Sequence, residues 1–264
     1  MTDETFVAVS NATRGQDMKI KACMFIAFAG AASCTAADSE KGPLASTDVP
    51  ALMASANVPG LAIATIDDCA LDTVSYYGVA DVETGDPVGP DTIFEGASLT
   101  KTIFSVIVNQ LSSEGVIDLD EPLASSFDYP RVSDKTAYAK LTPRLILAHR
   151  SGFPNWASDP LDQETWGDIA FKNPPDTEFG YSGEAYMLLQ AYIEAKTGKS
   201  LDELFDERLG TIMAKTSLSA PKQNVTLAFA HDEKGAKEKG RAVKIAPSAG
   251  AAYSVLTNAQ DYAQ

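Results

Sequence analysis

The sequence predicts a domain of the α+β class, because it contains both a β-hairpin pattern and several helical patterns. Residues 61–66 form a continuous apolar run, and residues 73–79 form its expected antiparallel partner across a pair of aspartates. Residues 98–115 instead carry apolar side chains at helical spacing, and Gly115 is the expected end of that helix. Together these patterns indicate a sheet that packs against helices.

The other elements follow along the chain. Residues 50–56 are expected to form a short helix before the hairpin. Residues 141–149 predict another short helix, and residues 184–196 predict a longer one that a following glycine closes. Ser200 and Glu203 have the spacing of a capping box, which indicates that a further helix begins there.

The end of the sequence predicts one more helix. Thr257 and Gln260 again have the spacing of a capping box, with Thr257 as the N-cap. The sequence stops at Gln264, within the first turn of that helix. A compact domain does not usually end there, so we expect the sequence to be truncated.

The net charge argues against several classes of partner. The 264 residues are enough for one large domain or two small ones, and they carry a net charge of −15. Residues 1–33 hold three acidic and three basic residues, so the excess negative charge belongs to the rest of the chain. Such a field repels nucleic acid and anionic lipid headgroups, so neither is an expected partner.

Residues 1–33 are expected to be an upstream extension followed by a secretory signal. Two lysines closely follow Met18, a candidate start, and residues 22–32 form an apolar segment too short to span a bilayer. The small residues before Cys34 resemble a bacterial lipoprotein signal, which predicts lipidation of Cys34; the alternative is a plain secretory peptide. Residues 34–47 are then a tether. The expected product is an exported, periplasmic or outer-membrane lipoprotein that meets the membrane only through its anchor.

The cysteines and histidines argue against a disulfide or a metal centre. Cys23 lies in the signal and Cys34 is the lipidation site, so only Cys69 remains, with packing beside a strand as its expected role. His149 and His231 are the two histidines, and neither has the spacing of a metal ligand. The sequence therefore predicts no cofactor and no metal.

Ser98 and Lys101 form the strongest chemical pattern in the sequence. Their spacing at a helix start places both on one face, about one turn apart. A neutral amine can act as the base for a serine nucleophile, which requires surroundings that lower the lysine pKa. Ser219 and Lys222 repeat the spacing, but the proline between them and the lack of a following helical pattern indicate a loop.

Two interpretations of the helix that follows Ser98 remain open. Its polar residues fall on one stripe, which suits either an amphipathic helix with a solvated face or a mostly buried helix with a polar seam. The stripe holds a single charge, which favours the buried seam. Its members are Ser98, Lys101, Thr102, Ser105, Asn109 and Ser112.

On these residues the chain resembles the serine β-lactamase and penicillin-binding-protein superfamily, for which Ser-x-x-Lys is a signature. The closer resemblance is to its class C-like branch of esterases, D-amino-acid peptidases and β-lactamase-related hydrolases, and it covers residues 48–264. The segments that carry it, in the family's order, are 57–64, 77–81, 92–98, 141–154, 197–200 and 257–261.

The resemblance implies a mainly antiparallel sheet flanked by helices, with a helical subdomain. It implies an exported hydrolase that forms an acyl-enzyme on Ser98, with Lys101 as base and Tyr181, as phenol or phenolate, as proton shuttle. The substrate would be a small molecule or peptidoglycan-like compound with an ester, an amide or a β-lactam. The alternative is a non-hydrolytic penicillin-binding or sensor module of the same fold, and a degenerate structural homologue is a third possibility.

Tyr181-Ser182-Gly183 stands where the family has Tyr-x-Asn. The resemblance therefore implies that Ser182, Gly183 and the adjacent Glu184 bind substrate. Gly183 cannot supply the amide contact of the usual asparagine, which favours the non-hydrolytic alternative. Glu184 could partly substitute for it, but would bring negative charge toward the substrate.

The family's third motif, last strands and C-terminal helix would lie beyond Gln264. The resemblance therefore implies that half of the oxyanion hole is missing. It also implies that the chain as given is inactive, with an exposed sheet edge beside residues 61–66.

Residues 149–156 leave several roles open. His149 is expected to cap its helix and to interact favourably with the helix dipole, and a role in the site is the alternative. Arg150 is expected to form a structural ion pair rather than to bind a substrate carboxylate. Phe153 and Trp156 suit a pocket wall and ordinary packing equally well.

Overall fold

The computed structural model describes residues 47–159, 167–238 and 245–264 of the chain. The expected signal region, the lipidation site Cys34 and all but the last residue of the expected tether 34–47 lie outside the described residues. The elements below therefore belong to the domain expected over residues 48–264.

The N-terminal hairpin has the predicted strands. β1 (Gly60–Asp67) pairs antiparallel with β2 (Ala70–Gly78). Asp68 and Cys69 connect them with φ angles of 47° and 60°. Positive φ at both turn residues matches the right-handed twist of the strands. Cys69 is exposed in this turn, so the expectation that it packs beside a strand is wrong.

The second sheet has three strands. β3 (Thr92–Ala97) lies in the centre, parallel to β4 (Thr226–Leu227) and antiparallel to β5 (Val255–Thr257). The residues that follow β3 therefore emerge beside β5. The continuous apolar pattern of residues 61–66 predicts an inner strand, with a neighbour on each side. Within the described ranges, however, β1 pairs with β2 alone.

Helices make up most of the remaining regular structure. Within the described ranges, no helix is both long and apolar enough to cross a membrane. The α-helices are α1 (Val49–Ala56), α2 (Thr100–Ser113), α3 (Lys135–Tyr138), α4 (Pro143–Leu147), α5 (Gly183–Thr197), α6 (Leu201–Arg208) and α7 (Ala259–Ala263), and a 3₁₀ turn covers Leu123–Ser125.

Side-chain caps define where several of these helices begin. Ser182 accepts a hydrogen bond from a backbone amide at the start of α5, and Ser200 and Glu203 form the predicted capping box of α6. Asn258, and not Thr257, caps α7. Thr257 is instead the last residue of β5, where pairing with β3 fixes its backbone. The capping-box pattern therefore predicted the helix one residue too early.

The main core surrounds α2 and α5. Ten of the fifteen residues of α5 are buried, which explains why this helix lacks a wide polar face. The rings of Phe104 on α2 and Tyr186 on α5 lie 6.1 Å apart and join the two helices. A smaller cluster includes Ala62, Ala64 and Ala259, and it packs α7 against the hairpin.

Thr100 ties the start of α2 to the second sheet. Its side chain is fully buried. The hydroxyl donates a hydrogen bond to the Ala97 carbonyl at 2.6 Å and accepts one from the Val255 amide at 2.8 Å. One side chain thus holds the end of β3, the start of α2 and the start of β5 together.

Replacing Thr100 by valine is expected to destabilise the domain by about 1–3 kcal/mol. Valine keeps the shape of the side chain but leaves the buried Val255 amide without an acceptor. Equilibrium unfolding in urea measures the change. Thr136→Val, the same substitution at an exposed position of α3, is the control and should change the unfolding free energy by less than about 0.5 kcal/mol. Equal losses in the two variants would contradict this role of Thr100.

Candidate active site

Ser98 lies in the turn between β3 and α2. The helix begins at Thr100, two residues later than the sequence predicts, and Ser98 is exposed. Ala97, directly before it, has a φ of 44°, a left-handed conformation that an alanine adopts only at a cost. The Thr100 hydroxyl bonds the Ala97 carbonyl and so helps to hold this strained turn. The turn presents the Ser98 side chain at the protein surface.

Lys101 is the buried partner of Ser98. It is 6% exposed, and its Nζ donates hydrogen bonds to Ser98 Oγ at 3.2 Å and to the Ala252 carbonyl at 2.7 Å. Burial lowers the pKa of Lys101 to about 8, because a charged amine loses its hydration there. The surroundings of Lys101 therefore lower its pKa, which is what a lysine needs in order to act as the base for a serine.

The polar stripe of α2 is only partly a buried seam. Lys101 is buried, and Ser105 and Ser112 are partly buried. Thr102 and Asn109, however, are exposed. The stripe thus faces the protein on the Lys101 side and solvent on the other, and both interpretations of the sequence hold for part of the helix.

Tyr181 completes the group. The Ser98 side chain hydrogen-bonds to the Tyr181 hydroxyl, and Lys101 Nζ lies 4.7 Å from the centre of the Tyr181 ring. Burial raises the pKa of Tyr181, although the hydrogen bond with Ser98 opposes the shift. The phenol therefore keeps its proton at neutral pH, and Lys101 loses its proton first.

His149 lies against this group, and the expectation that it caps its helix and interacts favourably with the helix dipole is wrong. It follows α4 with a φ of 55°, and its Nδ1 accepts a hydrogen bond from the Ser182 amide at 3.2 Å. Its ring centre is 4.4 Å from that of Tyr181. Burial, and then the charge of Lys101, lowers the pKa of His149 to about 4, so the ring is neutral at pH 7.

Two of the three residues expected to bind substrate have their side chains engaged inside the protein. Ser182 is fully buried, and its hydroxyl caps α5 and donates to the Pro154 carbonyl at 2.7 Å. Glu184 is 3% exposed, forms an ion pair with Arg131 and accepts a hydrogen bond from the Ala157 amide. Such burial argues against the substrate contact expected of these two side chains.

The neighbouring residues divide between structural and surface positions. Arg150 forms the expected ion pair, with Nε 2.7 Å from Asp176 Oδ1. Phe153 is buried in the core, whereas Trp156 is partly exposed and packs beside Gly183. The sequence left the role of Trp156 open, since the contact joins residues that are distant along the chain.

The backbone of the turn offers a hydrogen-bond donor to the site. In the part of the chain that the structure describes, no protein acceptor pairs with the Ser98 amide. A free amide at the nucleophile can stabilise an oxyanion. The same ranges contain no group of three or more His, Cys, Asp or Glu side chains suited to a metal ion.

Comparison with known proteins gives this geometry a family context. The family model for beta-lactamases matches residues 46–264. Penicillin-binding protein 4 of Amycolatopsis lactamdurans is 29% identical over 170 residues, which cover 61% of this chain and 44% of that protein. The unguisins hydrolase of Aspergillus violaceofuscus is 28% identical over 176 residues, which cover 56% of this chain and 29% of that protein. The chain thus spans less than half the length of these two relatives.

A solved class C beta-lactamase has a similar fold. The likeness has a TM-score of 0.68 and covers 81% of this chain and 60% of that chain, at 19% sequence identity. At this identity the likeness concerns the fold alone. It confirms the predicted β-lactamase-like arrangement of sheet and helices.

The Lys101 amine is expected to titrate near pH 8, because it is buried beside uncharged groups. An NMR titration that follows the lysine side-chain carbons next to Nζ measures the midpoint. The resonance is assigned by its absence from Lys101→Met. A midpoint above 10, as for an ordinary lysine, would show that the site does not prepare a neutral amine.

Proposed function

This chain belongs to the beta-lactamase family, and from that premise we propose that it is a serine hydrolase in which Ser98 carries the acyl group of the substrate. One observation supports this most directly. The Lys101 amine lies 3.2 Å from the Ser98 hydroxyl oxygen, at a place where burial lowers the lysine pKa to about 8. Such an amine is partly neutral at physiological pH and can accept the serine proton.

In the acylation step, neutral Lys101 accepts the Ser98 proton while Oγ bonds to the carbonyl carbon of the substrate. The negative charge moves to the carbonyl oxygen, to which the Ser98 amide can donate. The bond to the leaving group then breaks, and the leaving group takes the proton from Lys101, directly or through the Tyr181 hydroxyl. The products of this step are an ester of Ser98 and a neutral leaving group.

Water resolves the acyl-enzyme in the second step. Its oxygen attacks the ester carbon while one proton passes to Lys101 through Tyr181, and the Ser98 oxygen leaves with that proton. Each turnover consumes one water and releases a carboxylic acid and an alcohol or amine. The raised pKa keeps Tyr181 protonated, so its hydroxyl can donate one proton and accept another in this transfer.

The proposed substrate is a small-molecule or peptidoglycan-like ester, amide or β-lactam. A second candidate function is a penicillin-binding or sensor module that acylates without turnover. Gly183 favours it, because this residue offers no polar side chain to a substrate amide. The two candidates differ in the lifetime of the acyl-enzyme. Rapid turnover of a chromogenic ester or lactam supports the hydrolase, and stoichiometric acylation alone supports the sensor.

The nucleophile is tested by labelling the full-length protein with a fluorophosphonate probe. The adduct is expected on Ser98, because that hydroxyl is exposed and lies next to the buried amine. Ser98→Ala should abolish labelling and leave the circular dichroism spectrum unchanged. Ser219→Ala, at the second Ser-x-x-Lys sequence, is the matched control and should label normally. An adduct located by mass spectrometry on Ser219 would contradict the assignment.

The base is tested by the pH dependence of turnover. For the unmodified protein, kcat/KM should rise about tenfold per pH unit below 8 and level off above it, because only neutral Lys101 accepts the proton. Lys101→Met should lower the rate by about 10²–10⁴-fold and remove this dependence.

Lys222→Met is the matched control for that experiment. Lys222 repeats the motif spacing but forms an ion pair with Asp206 at the surface, so its loss should leave the profile unchanged. A normal rate and profile in Lys101→Met would contradict the proposed mechanism.

A further inference from the structure

Gln190 is a polar residue in the buried middle of α5. Its side chain is 7% exposed, and residues 185–189 before it are all buried as well. A buried amide without partners would destabilise the fold, so the contacts of this one are informative. Nε2 donates hydrogen bonds to the Ala249 carbonyl at 2.9 Å and to Glu194 Oε1 at 3.0 Å, and Oε1 accepts one from the Ala251 amide at 2.8 Å. The side chain thus uses both of its donors and its oxygen inside the protein.

Glu194 determines the orientation of the Gln190 side chain. It lies one turn later on the same helix, at a spacing that brings two side chains together. Its Oε1 accepts hydrogen bonds from Gln190 Nε2 and, at 2.9 Å, from the Leu201 amide at the start of α6. Because a carboxylate oxygen only accepts, the nitrogen of the Gln190 side chain must face Glu194. Its oxygen is therefore directed to the Ala251 amide.

Gln190 attaches the turn before β5 to the helical core. Residues 249–252 are buried and lie outside the helices and strands, so no ladder of backbone hydrogen bonds holds them. The Ser254 hydroxyl closes the turn locally, because it accepts a hydrogen bond from the Gly250 amide and donates one to the Gly250 carbonyl. The contacts of Gln190, in contrast, span 59 and 61 residues of sequence. They set the position of the turn relative to α5.

The same turn carries a hydrogen-bond acceptor of Lys101. The Ala252 carbonyl accepts from Lys101 Nζ at 2.7 Å, a shorter contact than the 3.2 Å between Nζ and Ser98 Oγ. A neutral amine has two N–H groups and one lone pair, and in lysine it ends a flexible four-carbon chain. A carbonyl that holds one N–H restricts the rotation of the amine. The lone pair can then stay directed at the Ser98 hydroxyl.

We propose that Gln190 is a positioning residue for the reaction, which holds the Ala252 carbonyl against the Lys101 amine and thereby keeps this amine oriented toward Ser98. The inference rests on the proposed hydrolase function, and it assigns Gln190 no contact with the substrate. Loss of the Gln190 amide should therefore change the base and not only the stability of the fold. A displacement of about 1 Å that originates far from the chemistry can cost about 100-fold in rate, so such a role is measurable.

Withdrawal of the Ala252 carbonyl should also lower the pKa of Lys101. A carbonyl binds the charged amine more strongly than the neutral one, so this contact opposes the effect of burial. Titratable groups near the amine on the described elements are His149, Tyr181, Tyr186 and Tyr253. Burial lowers the pKa of the histidine to about 4 and raises those of the three tyrosines, so none of these groups titrates near pH 8. The midpoint of Lys101 therefore reports its own contacts.

Gln190→Met tests the role, because methionine keeps the length of the side chain but cannot donate a hydrogen bond. In the full-length variant, the NMR midpoint of Lys101 should fall by about half a pH unit or more. The plateau of kcat/KM for a chromogenic ester should fall about tenfold or more, and the rise toward it should move to lower pH together with the midpoint. An unchanged or raised midpoint in the folded variant would overturn the proposal.

Tyr138→Phe is the control for a merely structural loss. It removes one hydrogen bond of a buried side chain, which the tyrosine hydroxyl donates to the Phe127 carbonyl. The melting temperature should fall, whereas the Lys101 midpoint and the pH profile should remain those of the unmodified protein. A pH profile that moves as far in Tyr138→Phe as in Gln190→Met would show that any loss of stability disturbs the base, and it would contradict the role of Gln190.

A measurement on the unmodified protein decides the case in which Gln190→Met does not fold. The side-chain amide protons of Gln190 should exchange with solvent much more slowly than those of Asn224, an exposed residue, because both donors of Gln190 are hydrogen-bonded in the interior. Equal exchange rates would show that the Gln190 side chain does not hold the turn.

Labelling of Ser98 by the fluorophosphonate separates this inference from the proposed function. If Ser98 labels in the unmodified protein and the Lys101 midpoint does not change in Gln190→Met, the hydrolase stands and the role of Gln190 is wrong. If Ser98 of the unmodified protein does not label, the hydrolase proposal fails, and the role of Gln190 in the reaction fails with it.

Discussion

The burial of the Lys101 amine between Ser98 and the Ala252 carbonyl is the constraint on which the site depends. With a pKa of about 8, about one amine in ten is neutral at pH 7. An ordinary lysine would be neutral in roughly one molecule in three thousand. His149 supports this state, because its lowered pKa keeps it uncharged above about pH 4 and makes it no competitor for the proton. The neighbours of Lys101 thus favour a neutral amine beside the Ser98 hydroxyl.

The burial of the Lys101 amine lowers the stability of the folded state. The unfolded chain restores the ordinary pKa of Lys101, 10.5, so between pH 8 and 10.5 the unfolded state binds more protons than the folded state. Stability therefore rises with pH across that window, and below pH 8 the full penalty remains, at most roughly 3 kcal/mol. The left-handed Ala97 adds strain directly before Ser98. The buried hydroxyl of Thr100 and the packed core around α2 and α5 offset both costs.

The sequence predicted the parts of this arrangement that depend on local patterns. The hairpin, α2, α5 and the capping box of α6 follow from periodicity and cap residues, and the Ser98–Lys101 contact follows from helical spacing. The roles of His149, Glu184 and Trp156 did not follow. Each is decided by a partner distant in sequence: Tyr181 for His149, Arg131 for Glu184 and Gly183 for Trp156. The sequence shows Gly183 where the family has an asparagine, but it does not show that the indole of Trp156 packs there.

The residues around Ser98 come from different parts of the chain. The β3–α2 turn supplies Ser98 and Lys101, and its geometry is fixed by short-range hydrogen bonds and by β5. Trp156 comes instead from the loop after α4 and packs on Gly183, and Tyr253 comes from the segment before β5, directly after Ala252. The contacts that position the Ser98 hydroxyl and the Lys101 amine are thus formed within the turn, with the strand beside it and with the segment before that strand.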